Sequence, residues 1–249
     1  FSYELDELLF PSFILGLLFL YICGGILFHF ISISNTITWF VISFGLILFI
    51  FINKKNLLLL TFHSKYIKIL IISILFGLYG LNNNDIDYHY YHILQNKINN
   101  LTYGLGGNSS QYRVAYNSIW LFLQSVFFIE NFFYSLYFLN SVIFAVFVRD
   151  FYVLIKKTFV NRQIICLLFC FCTLMFVLAS IHKYKDFGTD YAAHLVLLYI
   201  VALYFLFFQR NINYNFFILT SFLFLFAVIC KVFSVVFIIF FLFLIYKIK

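Results

Sequence analysis

Apolar residues run through this chain in long blocks, and polar residues collect in the short gaps between them. Within a block the apolar positions do not alternate with polar ones, which argues against the strands of a membrane β-barrel and for helices. The blocks place hydrophobic helices at roughly 8–30, 35–52, 66–81, 131–155, 163–181, 190–208, 214–230 and 232–246. Several fall short of the ~20 residues a straight span needs, so tilt is expected, or a broken hairpin for the last two. The predicted fold is all-α: a polytopic transmembrane bundle of about eight hydrophobic helices, forming a single membrane-embedded domain over residues 1–249.

Residues 82–130 break the pattern and are predicted to form an external polar loop carrying interfacial helices. Within it, residues 114–130 decide the sidedness. Read as a span, this segment puts Lys156, Lys157 and Arg162 on the opposite side from Lys54, Lys55, Lys65 and Lys68. Read as an amphipathic helix lying in the interface, it puts both basic clusters on one side, as the positive-inside rule prefers. Asn117, Ser118, Gln124 and Ser125 interrupt its apolar run, and Trp120 suits an interface. With that choice 11 of the 16 Lys and Arg residues are cytoplasmic. The other five, Lys97, Arg113, Lys183, Lys185 and Lys231, share the non-cytoplasmic face with the polar loop and with the loop at 182–190. The acidic start, Glu4, Asp6 and Glu7, becomes cytoplasmic, which acidic residues oppose only weakly.

Composition strengthens the membrane reading. The chain is 65% hydrophobic, 24% aromatic and 10% charged, with a mean hydropathy of +1.03. A soluble domain is about a quarter charged. The net charge of +7 resides mainly in short loops, so topology accounts for it and nucleic acid is not expected as a partner. Cys23, Cys166, Cys170, Cys172 and Cys230 all lie in apolar runs, where they read as small packing residues rather than metal ligands. The chain opens at Phe1 without Met or signal peptide and ends within an apolar block at Tyr246–Lys249, so a piece of a longer protein is expected.

Chemistry in such a chain belongs where ionisable groups gather at the water boundary. Asp85 and Asp87 follow the third apolar block, and a helical stretch at 88–98 places Asp87 near a helix N-terminus, where an anion is favoured. Tyr91, four positions on, shares its face. Asp87 is then either a helix cap or a general base acting on an acceptor hydroxyl, with Asp85 in support. His89 and His92, three apart, have the spacing of some metal ligands and with these carboxylates can hold a divalent cation; they equally suit an aromatic belt. The Gly104–Ser110 stretch is a flexible loop without the Lys-Ser/Thr of a phosphate-binding P-loop. Arg113 behind it is either a lipid-phosphate anchor or a contact for a bound lipid pyrophosphate. In the second loop Lys183, Lys185, Asp186 and Asp190 crowd together, with Asp190 also placed to cap the following helix. Lys231 stands between two apolar stretches, where it either snorkels or, with Arg113 and Lys183, binds a lipid-linked phosphate.

Asp87-Tyr88-His89-Tyr90-Tyr91-His92, then Gly104-Leu105-Gly106 and Arg113-Val114-Ala115-Tyr116-Asn117-Ser118-Ile119-Trp120, resemble the pattern of a bacterial group of multi-spanning proteins. That pattern is Asp-x-x-x-Tyr-His, a Gly-Leu-rich turn, Arg-x-x-x-Asn-Ser-x-Trp, a later Pro-containing loop ending in Asp, and a distal Lys-x-Ser. Asp190 stands at the later loop, which here has no proline, and Lys231 with Ser234 stands one residue wider than Lys-x-Ser. The group is in turn similar to GT-C membrane glycosyltransferases. The resemblance covers about residues 66–235.

The resemblance implies an enzyme of the bacterial inner membrane. It would take a sugar from a polyprenyl-phosphate-linked donor and pass it to a glycan or lipid acceptor on the non-cytoplasmic face. Asp87 would be the catalytic base. Tyr91, His92, Arg113, Asn117, Lys183, Asp190 and Lys231 would contact substrate. A cell-envelope polysaccharide polymerase or ligase is a second reading, although its main loop would come late in the chain. A transporter is a third, expected to carry internal repeats and charged residues at mid-membrane. A membrane protein without enzymatic activity is a fourth.

Overall fold

A computed structural model describes residues 8–28, 30–52, 68–75, 87–98, 118–181, 189–207 and 214–239. Among the described residues the fold is helical and has no strand; Ile129 and Phe132 form one isolated antiparallel bridge. The helices are α1 (Phe10–Leu27), α2 (Asn35–Ile52), α3 (Asp87–Ile98), α4 (Ile119–Phe127), α5 (Phe138–Val160), α6 (Ile164–Ala179), α7 (Thr189–Phe207) and α8 (Tyr214–Cys230). Residues 68–75 are also helical. Short 3₁₀ turns, Phe133–Tyr137 and Val232–Phe237, precede α5 and follow α8. Phe10–Leu27 and Ser135–Val160 are long and apolar enough to cross a membrane.

The helix covering 131–155 in the sequence reading starts later and ends later. Ser135 causes the delay. Its hydroxyl accepts the N–H of Ile129 at 2.7 Å and donates to the carbonyl of Phe132 at 2.7 Å, tying the chain into a turn before α5 begins. At the far end, Gln163 N–H reaches back to Thr158 O at 2.9 Å and Arg162 N–H to Phe159 O at 3.2 Å, with Arg162 at φ 54°. This is a Schellman stop with a left-handed residue after the helix.

The chain divides into two compact units. The first comprises Phe1–Phe19, Val146–Tyr184 and Gly188–Lys249. In it α7 packs against both α6 and α8. Helix α6 turns a stripe of Cys166, Cys170, Thr173 and Val177 inward and leaves Ile164, Ile165, Phe171 and Phe176 outward. The small side chains let two apolar helices approach closely. Cys166 and Cys170 are 3.9 Å apart at sulfur, and the Cys166 thiol lies 3.8 Å from the carbonyl of Ala202 on α7.

The second unit comprises Leu20–Ala145 and Lys185–Phe187. Here α4 packs against α3 and α2. Trp39, Phe40, Phe44 and Phe51 on α2 are exposed, while polar Gln124, Ser125 and Asn140 are buried. Apolar surface outside and polar groups inside invert the usual soluble arrangement.

Candidate functional site

Helix α3 opens at Asp87, the residue the sequence marks as a base or a cap. Four of its residues, His92, Ile93, Asn96 and Lys97, are buried, and their spacing of one, four and five puts them on one face. That face is sequestered by α4 and the residues after it. Ile93 joins Leu121, Phe128, Leu136 and Tyr137 in an apolar cluster, with Tyr90 edge-on to Phe128 at 6.0 Å. Asn96 Nδ2 donates to Ser125 Oγ at 3.1 Å, and Ser125 donates to the Leu121 carbonyl at 2.7 Å. Lys97 Nζ donates to Thr38 Oγ1 on α2 at 2.7 Å. Burial pushes the Lys97 amine down to about 8, and the Glu130 carboxylate pulls it partly back. The site is a short polar helix fixed at its carboxy-terminal end, with a carboxylate residue at its amino-terminal end.

Helix α4 explains how the support is built. Ser118 accepts the N–H of Trp120 at 3.2 Å and caps the helix. Trp120 Nε1 donates to Asn140 Oδ1 at 2.9 Å, and Gln124 Nε2 reaches the same oxygen at 3.3 Å. The Ser-x-Trp of the sequence motif is thus a helix cap followed by an anchor to α5. Helix α4 has nine residues, about 14 Å at 1.5 Å each, and Ile119 through Val126 are all buried.

The residues singled out from sequence are distributed as follows. Asp87 is the first residue of α3, and His89, Tyr91 and His92 lie along it. His92 is 2% exposed, so it belongs to the packed face of the helix. The side chains of Asp87, His89, Tyr91 and Asp190 lie outside the described residues, as do Asp85, Arg113, Asn117, Lys183 and Lys185 altogether. Asp190 is the second residue of α7. Lys231 is half-buried, between α8 and the following 3₁₀ turn, and its carbonyl accepts the N–H of buried Ser234 at 2.9 Å. Among the described residues no three His, Cys, Asp or Glu side chains gather where they could hold a metal.

One centre was not singled out in the sequence. Asp150, fully buried in α5, accepts the Phe10 N–H at 2.8 Å and the Tyr199 hydroxyl at 3.1 Å on one oxygen, and Arg149 Nη1 at 2.7 Å on the other. Phe10 is the first residue of α1, so a carboxylate 140 positions away caps that helix. Aromatic rings close the centre: Phe10 stacks on Tyr199 at 4.6 Å, and Phe147 on Phe151 at 4.2 Å. The available signal was an acidic residue within the apolar run Phe138–Val160.

No family model, curated protein or solved structure matches the chain.

Proposed function

We propose that the chain is a multi-pass protein of a bacterial inner membrane that transfers a sugar from a polyprenyl-phosphate-linked donor to a cell-envelope acceptor. The observation that carries this reading is Asp87 at the start of a short polar helix whose other end is pinned by Asn96 and Lys97. An anion is favoured at a helix start, which suits a carboxylate base that must meet an acceptor hydroxyl. The exposed aromatic and aliphatic side chains of α2 and α6 support immersion in lipid. Arg113 is proposed to hold the donor phosphate, with the loop at 82–130 on the non-cytoplasmic side.

Asp87→Asn tests this. The change keeps the side chain's size and removes its basicity. Transfer of labelled sugar by membranes carrying the full-length protein should fall by roughly 10²–10⁴-fold with insertion unchanged. Arg113→Lys should also be costly, because an ammonium cannot make the bidentate phosphate contact of a guanidinium. Full activity in Asp87→Asn would reduce the residue to a helix cap and remove the main support for a transferase.

A second reading, ion-coupled transport, is favoured by buried Asp150 and its half-buried partner Arg149 within an apolar helix. It expects ion flux into liposomes holding the purified protein, lost in Asp150→Asn; the transferase expects none.

A further inference from the structure

The carboxy-terminal end of α3 is held by a lysine in a place that water hardly reaches. Lys97 is 4% exposed, and Thr38 Oγ1 is its hydrogen-bond acceptor. A charged ammonium has three N–H donors, so one acceptor leaves most of its capacity unused while its charge is stripped of solvent. From α2 the facing group is the uncharged Thr38, and from α4 the polar side chain bonded to this face is the uncharged Ser125, through Asn96. His92 is the other buried titratable side chain on this face of α3. Among the described residues Glu130, exposed on the turn after α4, is the charged group that acts on the amine.

We propose that the charge on Lys97 works as a latch: α3 docks most firmly on α2 and α4 when the amine is neutral, and its hold loosens as the amine takes up a proton. The direction follows from linkage. In solvent the amine titrates at 10.5, and in the docked helix burial lowers this to about 8. Between those values the undocked helix binds more protons, so rising pH favours docking and falling pH weakens it. Below the docked value both forms are charged and docking stays at its weakest. From pH 7 to pH 9 the docking constant should rise about tenfold. Because Asp87 opens the same helix, transfer activity would follow this curve; that consequence rests on the transferase reading, while the latch itself does not.

Hydrogen exchange of the full chain in detergent micelles tests the latch. Protection of the α3 amides, corrected for intrinsic exchange, should rise about tenfold from pH 7 to pH 9 in the wild type. It should be high and independent of pH in Lys97→Met. In Glu130→Gln the rise should begin at lower pH, because the carboxylate that favours the charged amine is gone. A wild type without the rise, or a Lys97→Met variant with the same rise, overturns the proposal. If Lys97→Met fails to fold, Glu130→Gln decides alone, since an unshifted curve in that exposed variant has the same force. Protection that follows pH while transfer does not would count against the transferase and leave the latch standing.

Discussion

Asp150 shows what one side chain must do when it is charged and dry. Its two oxygens serve a helix-starting N–H, a phenol and a guanidinium, so its partners lose theirs when it is removed. Breaking a buried pair by deleting one member costs about 3–5 kcal/mol, because the other charge stays behind. Asp150→Ala should therefore lower the thermal midpoint in detergent severely, whereas Tyr199→Phe, which removes one hydrogen bond, should cost ~1 kcal/mol. Equal, small effects would mean that water replaces the lost partners. Lys97 is the opposite case: its buried amine meets one hydroxyl acceptor, and the proposed latch rests on that difference.

Single elements carry their own stop and start signals. Helix α4 begins where Ser118 caps it, and Ser118→Ala should cost ~1 kcal/mol. The stop after helix α5 is Arg162, a non-glycine residue at φ 54°. A side chain in that region costs roughly 1–2 kcal/mol, which glycine avoids. Arg162→Gly should therefore raise the thermal midpoint; a fall would mean that the arginine makes compensating contacts. Most helix positions were legible in the chain. The apolar blocks at 35–52 and 214–230 coincide with α2 and α8, since apolar runs between polar gaps leave little choice of boundary. The start of α5 was not legible, because the Ser135 turn depends on a serine hydroxyl reaching back six residues to Ile129.

At the scale of the whole molecule, the proposed topology puts Glu130 outside the cell and Asn161 in the cytoplasm, joined by the 26-residue helical stretch Ser135–Val160, about 39 Å long. In a cysteine-free background, Glu130→Cys should react with an impermeant thiol reagent in intact cells and Asn161→Cys only after permeabilisation. The reverse labelling would turn the polar loop inward and end the donor-phosphate model. By itself the sequence determined that the described residues are helical, where apolar helices such as α2 and α8 run, and that a polar helix starts near Asp87, because these follow from local composition and spacing. It also marked Ser118 and Trp120, but as a polar break, an interfacial residue and parts of a motif, not as a cap and a fully buried anchor. Tertiary structure decided that His92 packs inward, that Lys97 is buried against Thr38, and that Asp150 caps a helix 140 residues away. Those outcomes depend on which distant surfaces meet, and desolvation and hydrogen-bond pairing are properties of that meeting rather than of any residue's neighbours in the chain.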